Sequence, residues 1–307
     1  ESTTVRYVFP QCYSGAFYRL VYMDPHSDTF GTQKRCGFFS ESPYDQSEGC
    51  SLSTNKEEYR DYSTYYFAPL NGMTRNDEPL PVEPDINHDG IISFAESHLY
   101  AIKAGASKDL SRSTSEVFLE TWAPWYLRWA GRKYNTESRY WQVAQFVADK
   151  ESLDLNDQSL AGERRRVNEE LDELDAGLEH CEDGADSVAG TLRKKLIARW
   201  PELMHPYTSG YLSVIEQHRE EIIKTLDADD GFKKLVDFQT VCKKTNDDIL
   251  SAERDLAQIE KVLRYKKLAM LDYYFTRYAG QDERAQYDSL LECEGGAFFA
   301  KGVMQSD

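Results

Sequence analysis

The residues with the most specific chemistry form one run, Asp85-Ile86-Asn87-His88-Asp89-Gly90-Ile91-Ile92-Ser93-Phe94-Ala95-Glu96. Asp at its first position, Asn and Asp at the third and fifth, Gly at the sixth and Glu at the twelfth match a calcium-binding loop at every defined place. A hard cation takes about six to eight oxygen ligands, and a loop can supply them from alternate residues. Asp85, Asn87 and Asp89 would offer side-chain oxygens, Ile91 its backbone carbonyl, Ser93 the water-mediated place and Glu96 both carboxylate oxygens. Gly90 permits the sharp turn. His88 falls outside the ligand set. Calcium is therefore the expected cofactor. A helix from Phe94 to Lys103 should follow the loop, whereas Pro79, Pro81 and Pro84 interrupt the approach to it. The loop stands alone, which suits a structural ion better than a paired calcium sensor.

A second signal is Val5-Arg6-Tyr7-Val8-Phe9-Pro10-Gln11-Cys12-Tyr13-Ser14-Gly15-Ala16-Phe17. A hydrophobic strand that runs into a cysteine, with glycine close behind, would set the thiol at the C-terminal edge of an open parallel sheet, where such sheets bind ligands. Buried structural cysteines also end strands, so the local pattern leaves a catalytic and a packing role for Cys12 both open.

The strand followed by Gln11-Cys12-x-Ser14-Gly15 resembles the nucleophile segment of the caspase-like cysteine peptidases, the group of caspases, metacaspases, legumain, clostripain and separase. Downstream, Tyr62-Ser63-Thr64-Tyr65-Tyr66-Phe67-Ala68-Pro69-Leu70-Asn71-Gly72 and then the Asp-rich loop ending in Ser93-Phe94-Ala95-Glu96 are similar to the later part of bacterial caspase-like domains. The resemblance spans residues 5 to 104. It implies that Cys12 is the nucleophile of an endopeptidase acting on a protein or peptide, with backbone amides at Cys12 stabilising the oxyanion. It also implies a catalytic histidine on a strand upstream of the nucleophile. His26, His88, His98, His180, His205 and His218 all follow Cys12, and none precedes a glycine. The histidine would then come from an upstream segment or a separate N-terminal chain of the same precursor. The abrupt start at Glu1, with an apolar run from Val5, suits a processed or truncated polypeptide. The competing reading makes Cys12 a relic in a non-catalytic scaffold.

Arg- and Lys-specific relatives often carry Asp two residues before the nucleophile, where this chain has Pro10, which argues against a basic cleavage site. Asp61 and Ser63 are candidates for the substrate pocket by their place after the nucleophile strand, and equally for the N-cap of a helix.

The elements expected to position these residues are an α/β caspase-like half, a partial parallel sheet flanked by helices, followed by a mostly α-helical module with a short antiparallel coiled-coil hairpin. The expected divisions are 1–104 for the peptidase half, 105–154 for an aromatic-rich helical connector and 155–307 for the helical module. In the connector, Val117, Leu119, Trp122, Trp125, Tyr126 and Trp129, then Tyr140, Trp141, Val143 and Phe146, recur at helical spacing and read as core. In the module, Leu160, Val167, Leu171, Leu174, Leu178 and Cys181 follow the spacing of a coiled-coil seam, repeated by Ile249, Ala252, Leu256, Ile259, Leu263, Lys266 and Met270. The acidic stretch 168–186 and Arg164-Arg165-Arg166 read as solvated helix faces.

Composition narrows the function classes. The 307 residues carry 36 Lys and Arg against 53 Asp and Glu, a net charge of −17, which disfavours a nucleic-acid or anionic-membrane surface. No apolar run is long enough to span a membrane. The six cysteines, Cys12, Cys36, Cys50, Cys181, Cys242 and Cys293, show no metal-site spacing and read as scattered, mostly buried thiols, although Cys36 and Cys50 could close a loop. A lone loop of modest affinity suits the calcium levels outside a cytoplasm, which leans towards an exported bacterial protein. The rival function is a non-catalytic, calcium-binding helical interaction scaffold, with the Trp122 to Trp129 face and the heptad arms holding a partner.

Overall fold

A computed structural model describes residues 3–48, 59–129 and 131–297. The chain is mostly helical, at 65%, with one small mixed sheet. It gathers into two compact units, Glu1–Arg164 with Arg254–Asp307, and Arg165–Glu253, where the sequence suggests breaks near 104 and 154.

The first unit holds the sheet, in the order β1 (Val5–Phe9), β2 (Arg35–Phe39), β3 (Arg112–Ser113). β1 and β2 run parallel, with Val5 opposite Arg35 and Phe9 opposite Phe39, so both strands end at the same edge. β3 pairs antiparallel to β2. Cys36, Phe38 and Phe39 are fully buried, as a central strand covered on both faces requires. This three-stranded sheet does not by itself establish the caspase-like fold, and that part of the expectation is not shown.

Around the sheet lie α1 (Tyr62–Asn71), α2 (Phe94–Ala104), α3 (Thr114–Trp122), α4 (Arg139–Lys150) and α8 (Gln281–Glu294). The connector stripe is largely core: Leu119, Tyr140 and Val143 are buried with Leu99 and Ile102 of α2. Trp122 packs edge-on against Phe275, while Trp125, on a short 3-10 turn, is 70% exposed.

Two long helices, α5 (Asp157–Arg199) and α7 (Asp230–Tyr278), contain both predicted seams. The expected coiled-coil hairpin is not shown. Between residues 257 and 275, α7 buries Ala257, Ile259, Val262, Tyr265, Leu268, Ala269, Leu271, Tyr274 and Phe275. That is far wider than a two-position seam, and a helix apolar over so much of its girth belongs to a globular core. The heptad spacing is a subset of this broader burial.

In the second unit, Trp200, Val214 and Ile222, the last two on α6 (Ser209–Asp227), form a small cluster with Leu196, Leu203 and Leu226. Cys181 and Cys242 are bridged, 61 residues apart. In the first unit Cys36 of β2 is bridged to Cys293 of α8, across 257 residues. Both pairings correct the reading of scattered thiols, and Cys36 is not the partner of Cys50, which lies outside the described residues. Spacing misses such bridges because only the tertiary fold brings the two sulfurs together. Among the described residues no helix is long and apolar enough to cross a membrane.

Candidate functional site

β1 delivers Pro10, Gln11 and Cys12 to the shared C-terminal edge of the two parallel strands. Tyr13 turns the chain through the left-handed region at φ 58°, and a 3-10 helix runs from Ser14 to Val21. Cys12 is half-buried, its Sγ 3.9 Å from the Ser47 carbonyl.

The segment that follows β2 wraps this turn. Ser40 donates its N–H to the Phe9 carbonyl and its hydroxyl to that of Gln11, and Tyr13 N–H donates to the Asp45 carbonyl. Buried Ser14 shares a hydroxyl contact with Ser40 and accepts from the Glu41 N–H at 3.1 Å. A Cβ on Gly15 would lie 2.8 Å from the Glu41 oxygen, the Ser42 carbon and the Pro43 nitrogen. Glycine is therefore required by close backbone approach. Ser14 and Gly15 of the Gln-Cys-x-Ser-Gly run are supports for the turn.

Behind the wrap sits a buried charged cluster that the sequence reading missed. Glu41, 2% exposed, accepts from the N–H groups of Ser42 and Leu110, at 2.6 and 2.9 Å. Burial pushes its carboxyl up to about 7, partly countered by those two N–H donors. Asp109, also buried, accepts from Ser47 Oγ and from the N–H groups of Glu48 and Tyr62. Burial raises its pKa despite those bonds. Lys261 of α7 donates to the Ser107 carbonyl at 2.7 Å, and burial lowers its pKa to about 8. Arg254 pairs with Glu48. No local motif marks these residues, since apart from the neighbouring Ser42 N–H the partners described lie 47 to 206 positions away.

Asp61 is the N-cap of α1, accepting from the Thr64 N–H, the Thr64 hydroxyl at 2.8 Å and the Ser63 hydroxyl. Both carboxylate oxygens are thus committed, in line with the capping role. Ser63 lines an open hollow of roughly 230 Å³ on α1 with Thr64, Phe67, Asn71, Met73 and Arg75, to which Asp61 does not contribute.

His98 is the buried member of the described histidines. Its ring nitrogens face Tyr62 Oη at 2.8 Å and Glu116 Oε1 at 3.2 Å. Burial opposes ionisation of Glu116, yet Arg264 and His98 hold its carboxyl well below the usual range. His98 is thereby a core residue.

The 85–96 loop takes the expected turn. Asp85 accepts from the N–H groups of Asp89 and Gly90, Asn87 from Asp89, and Asp89 from Ile91. Gly90 has φ +78°, the conformation that favours glycine. Ser93 and Glu96 form a reciprocal capping box at the start of α2. Glu96 also accepts from Ile86 and Asn87. No helix leads directly into the loop, the stretch from Gly72 to Pro84 being non-helical, as the prolines imply. Among the described residues no group of three or more His, Cys, Asp or Glu gathers as a metal-binding cluster. The donor chemistry of Asp85, Asn87, Asp89, Ile91 and Glu96, all oxygen, fits a hard cation.

Comparison with family models, with curated proteins and with solved structures returns no match.

Proposed function

We propose that this chain is a cysteine endopeptidase of caspase-like type with Cys12 as nucleophile, completed by a histidine from an upstream segment or a separate N-terminal chain. The observation that carries the reading is the placement of Cys12: a half-buried thiol on a tight turn, at the common C-terminal edge of two parallel strands. The thiolate would attack the scissile carbonyl carbon, and the amine would leave with a proton from the incoming histidine. Water would then hydrolyse the thioester and restore the thiol.

Only β2 lies beside β1 among the described residues. In a parallel strand the N–H and C=O of alternate residues face opposite sides, so those of Arg6 and Val8 point away from β2. A strand of the N-terminal chain would pair along this edge and bring its histidine to the end where Cys12 lies. Calcium held by Asp85, Asn87, Asp89, Ile91 and Glu96, with Ser93 at the water-mediated place, would neutralise the loop's carboxylates and fix it to the start of α2.

The test is labelling of Cys12 by peptidyl acyloxymethyl ketones in protein expressed together with its upstream sequence, with Cys12→Ala as control. An adduct on Cys12 is expected. Absence of any adduct, with Cys12 found in a disulfide by non-reducing peptide mapping, would sink the proposal. The scaffold reading gains support from one observation, the 70% exposure of Trp125 beside half-exposed Tyr126.

A further inference from the structure

Ser47, Glu48 and Glu41 tie the wrapping segment 40–48 to the rest of the first unit, and Glu41 does so where the segment lies against Ser14 and Gly15. The Glu41 backbone donates to Ser14 Oγ, and its carbonyl oxygen contacts Gly15. Its carboxyl reaches the Leu110 N–H, 69 residues away. That stretch is itself anchored to α7, through Lys261 on the Ser107 carbonyl and Arg264 on the Ser111 carbonyl. Glu41 therefore bridges the Cys12 turn to a stretch hydrogen-bonded to α7.

We propose that Glu41 is the positioning residue of the Cys12 turn, a buried latch that ties the turn to the 105–113 stretch through Ser14 and Leu110. For its consequence on chemistry, this rests on the reading of Cys12 as the reacting group. The groups facing the latch are Asp45 on its own segment, Asp109 and Arg112 on the 105–113 stretch and Lys261 of α7, with Glu48, Arg254 and Lys150 beyond them. Asp45 and Asp109 oppose the charged form of Glu41, which adds to the effect of burial. An opened wrap would return Glu41 to water and to an ordinary carboxyl value. Because the closed state holds its proton up to about 7, the latch is tightest below about pH 4.5 and weakens as pH rises towards 7, after which it is constant.

Hydrogen exchange of the intact chain from pH 5 to 8, corrected for intrinsic rates, reads the latch directly. Opening of peptides covering 9–17 and 40–48 should rise by up to about tenfold per pH unit below 7 and level off above it. Glu41→Gln should flatten the profile. Asp45→Asn, at an exposed position, should move the levelling point to lower pH. An unchanged slope in Glu41→Gln, a flat wild-type profile, or an equal rise in peptides of α4 would overturn the latch. If exchange follows Glu41 while electrophiles spare Cys12, the latch stands and the peptidase reading alone fails.

Discussion

The thiol turn and the 85–96 loop are both glycine-dependent turns, and they are held in opposite ways. In the loop, Asp85, Asn87, Asp89 and Glu96 accept from backbone N–H groups between Ile86 and Ser93, and the Phe94 N–H near its end donates to the Gly296 carbonyl. In the thiol turn, the partners of Cys12 and Ser14 come from 26 to 35 residues away, and their support from a further 62 to 69. Their glycines differ likewise. Gly90 is needed for its positive φ, and a methyl group placed there would have nothing within 4 Å, whereas Gly15 is needed because another backbone lies against it. A locally closed turn survives changes elsewhere in the molecule, while one held from afar inherits every weakness of the fold.

The sharpest break of that contrast is removal of the bridge between β2 and α8. Cys36→Ala with Cys293→Ala should cost about 4 kcal/mol, as expected for so long a closed loop. By hydrogen exchange, protection should fall around 9–17 and at Phe94, whose N–H donates to the Gly296 carbonyl, and persist within 85–91. Gly15→Val should cost about 3 kcal/mol in urea denaturation, because the clash is with backbone that cannot rotate aside. A loss below about 1 kcal/mol would show that the wrap yields easily.

Calcium at about one hundred times its dissociation constant should stabilise the wild type by about 2.7 kcal/mol, seen as a raised thermal midpoint. Asp89→Ala should abolish that rise, and equal responses in the two proteins would remove the cation from the loop. The smallest effect belongs to Gly90→Ala. With open space around the new methyl, only the left-handed backbone opposes it, at about 1 kcal/mol. A cost matching that of Gly15→Val would erase the distinction between the two turns.

These differences also explain what could be read in advance. The helix that starts at Phe94, the break before the loop at Pro79 to Pro84 and the core role of Leu119, Tyr140 and Val143 depend on neighbours within a turn or two of chain, so spacing reveals them, whereas Ser93, expected at the water-mediated place of the loop, is found as the cap of α2. Asp61 has two readings from sequence, and the geometry of α1 supports its role as a cap. The heptads of α7 mislead because a broad buried face contains a narrower seam as a subset. Glu41, Asp109 and Lys261 carry no signal, because burial is what perturbs them and burial is not a local property.

The amino-acid sequence by itself determined the elements closed by short-range forces: the turn at Gly90, the capped helix after it, the strand that leads to the turn at Cys12 and the helical character of the later chain. Tertiary structure alone decided which segments meet, namely the Cys36 to Cys293 bridge, the wrap of 40–48 around Ser14 and Gly15, and the buried carboxyls behind it. The reason is physical. Hydrogen bonds and φ preferences act over a few residues, whereas burial, close backbone approach and disulfide pairing depend on positions brought together only when the whole core forms.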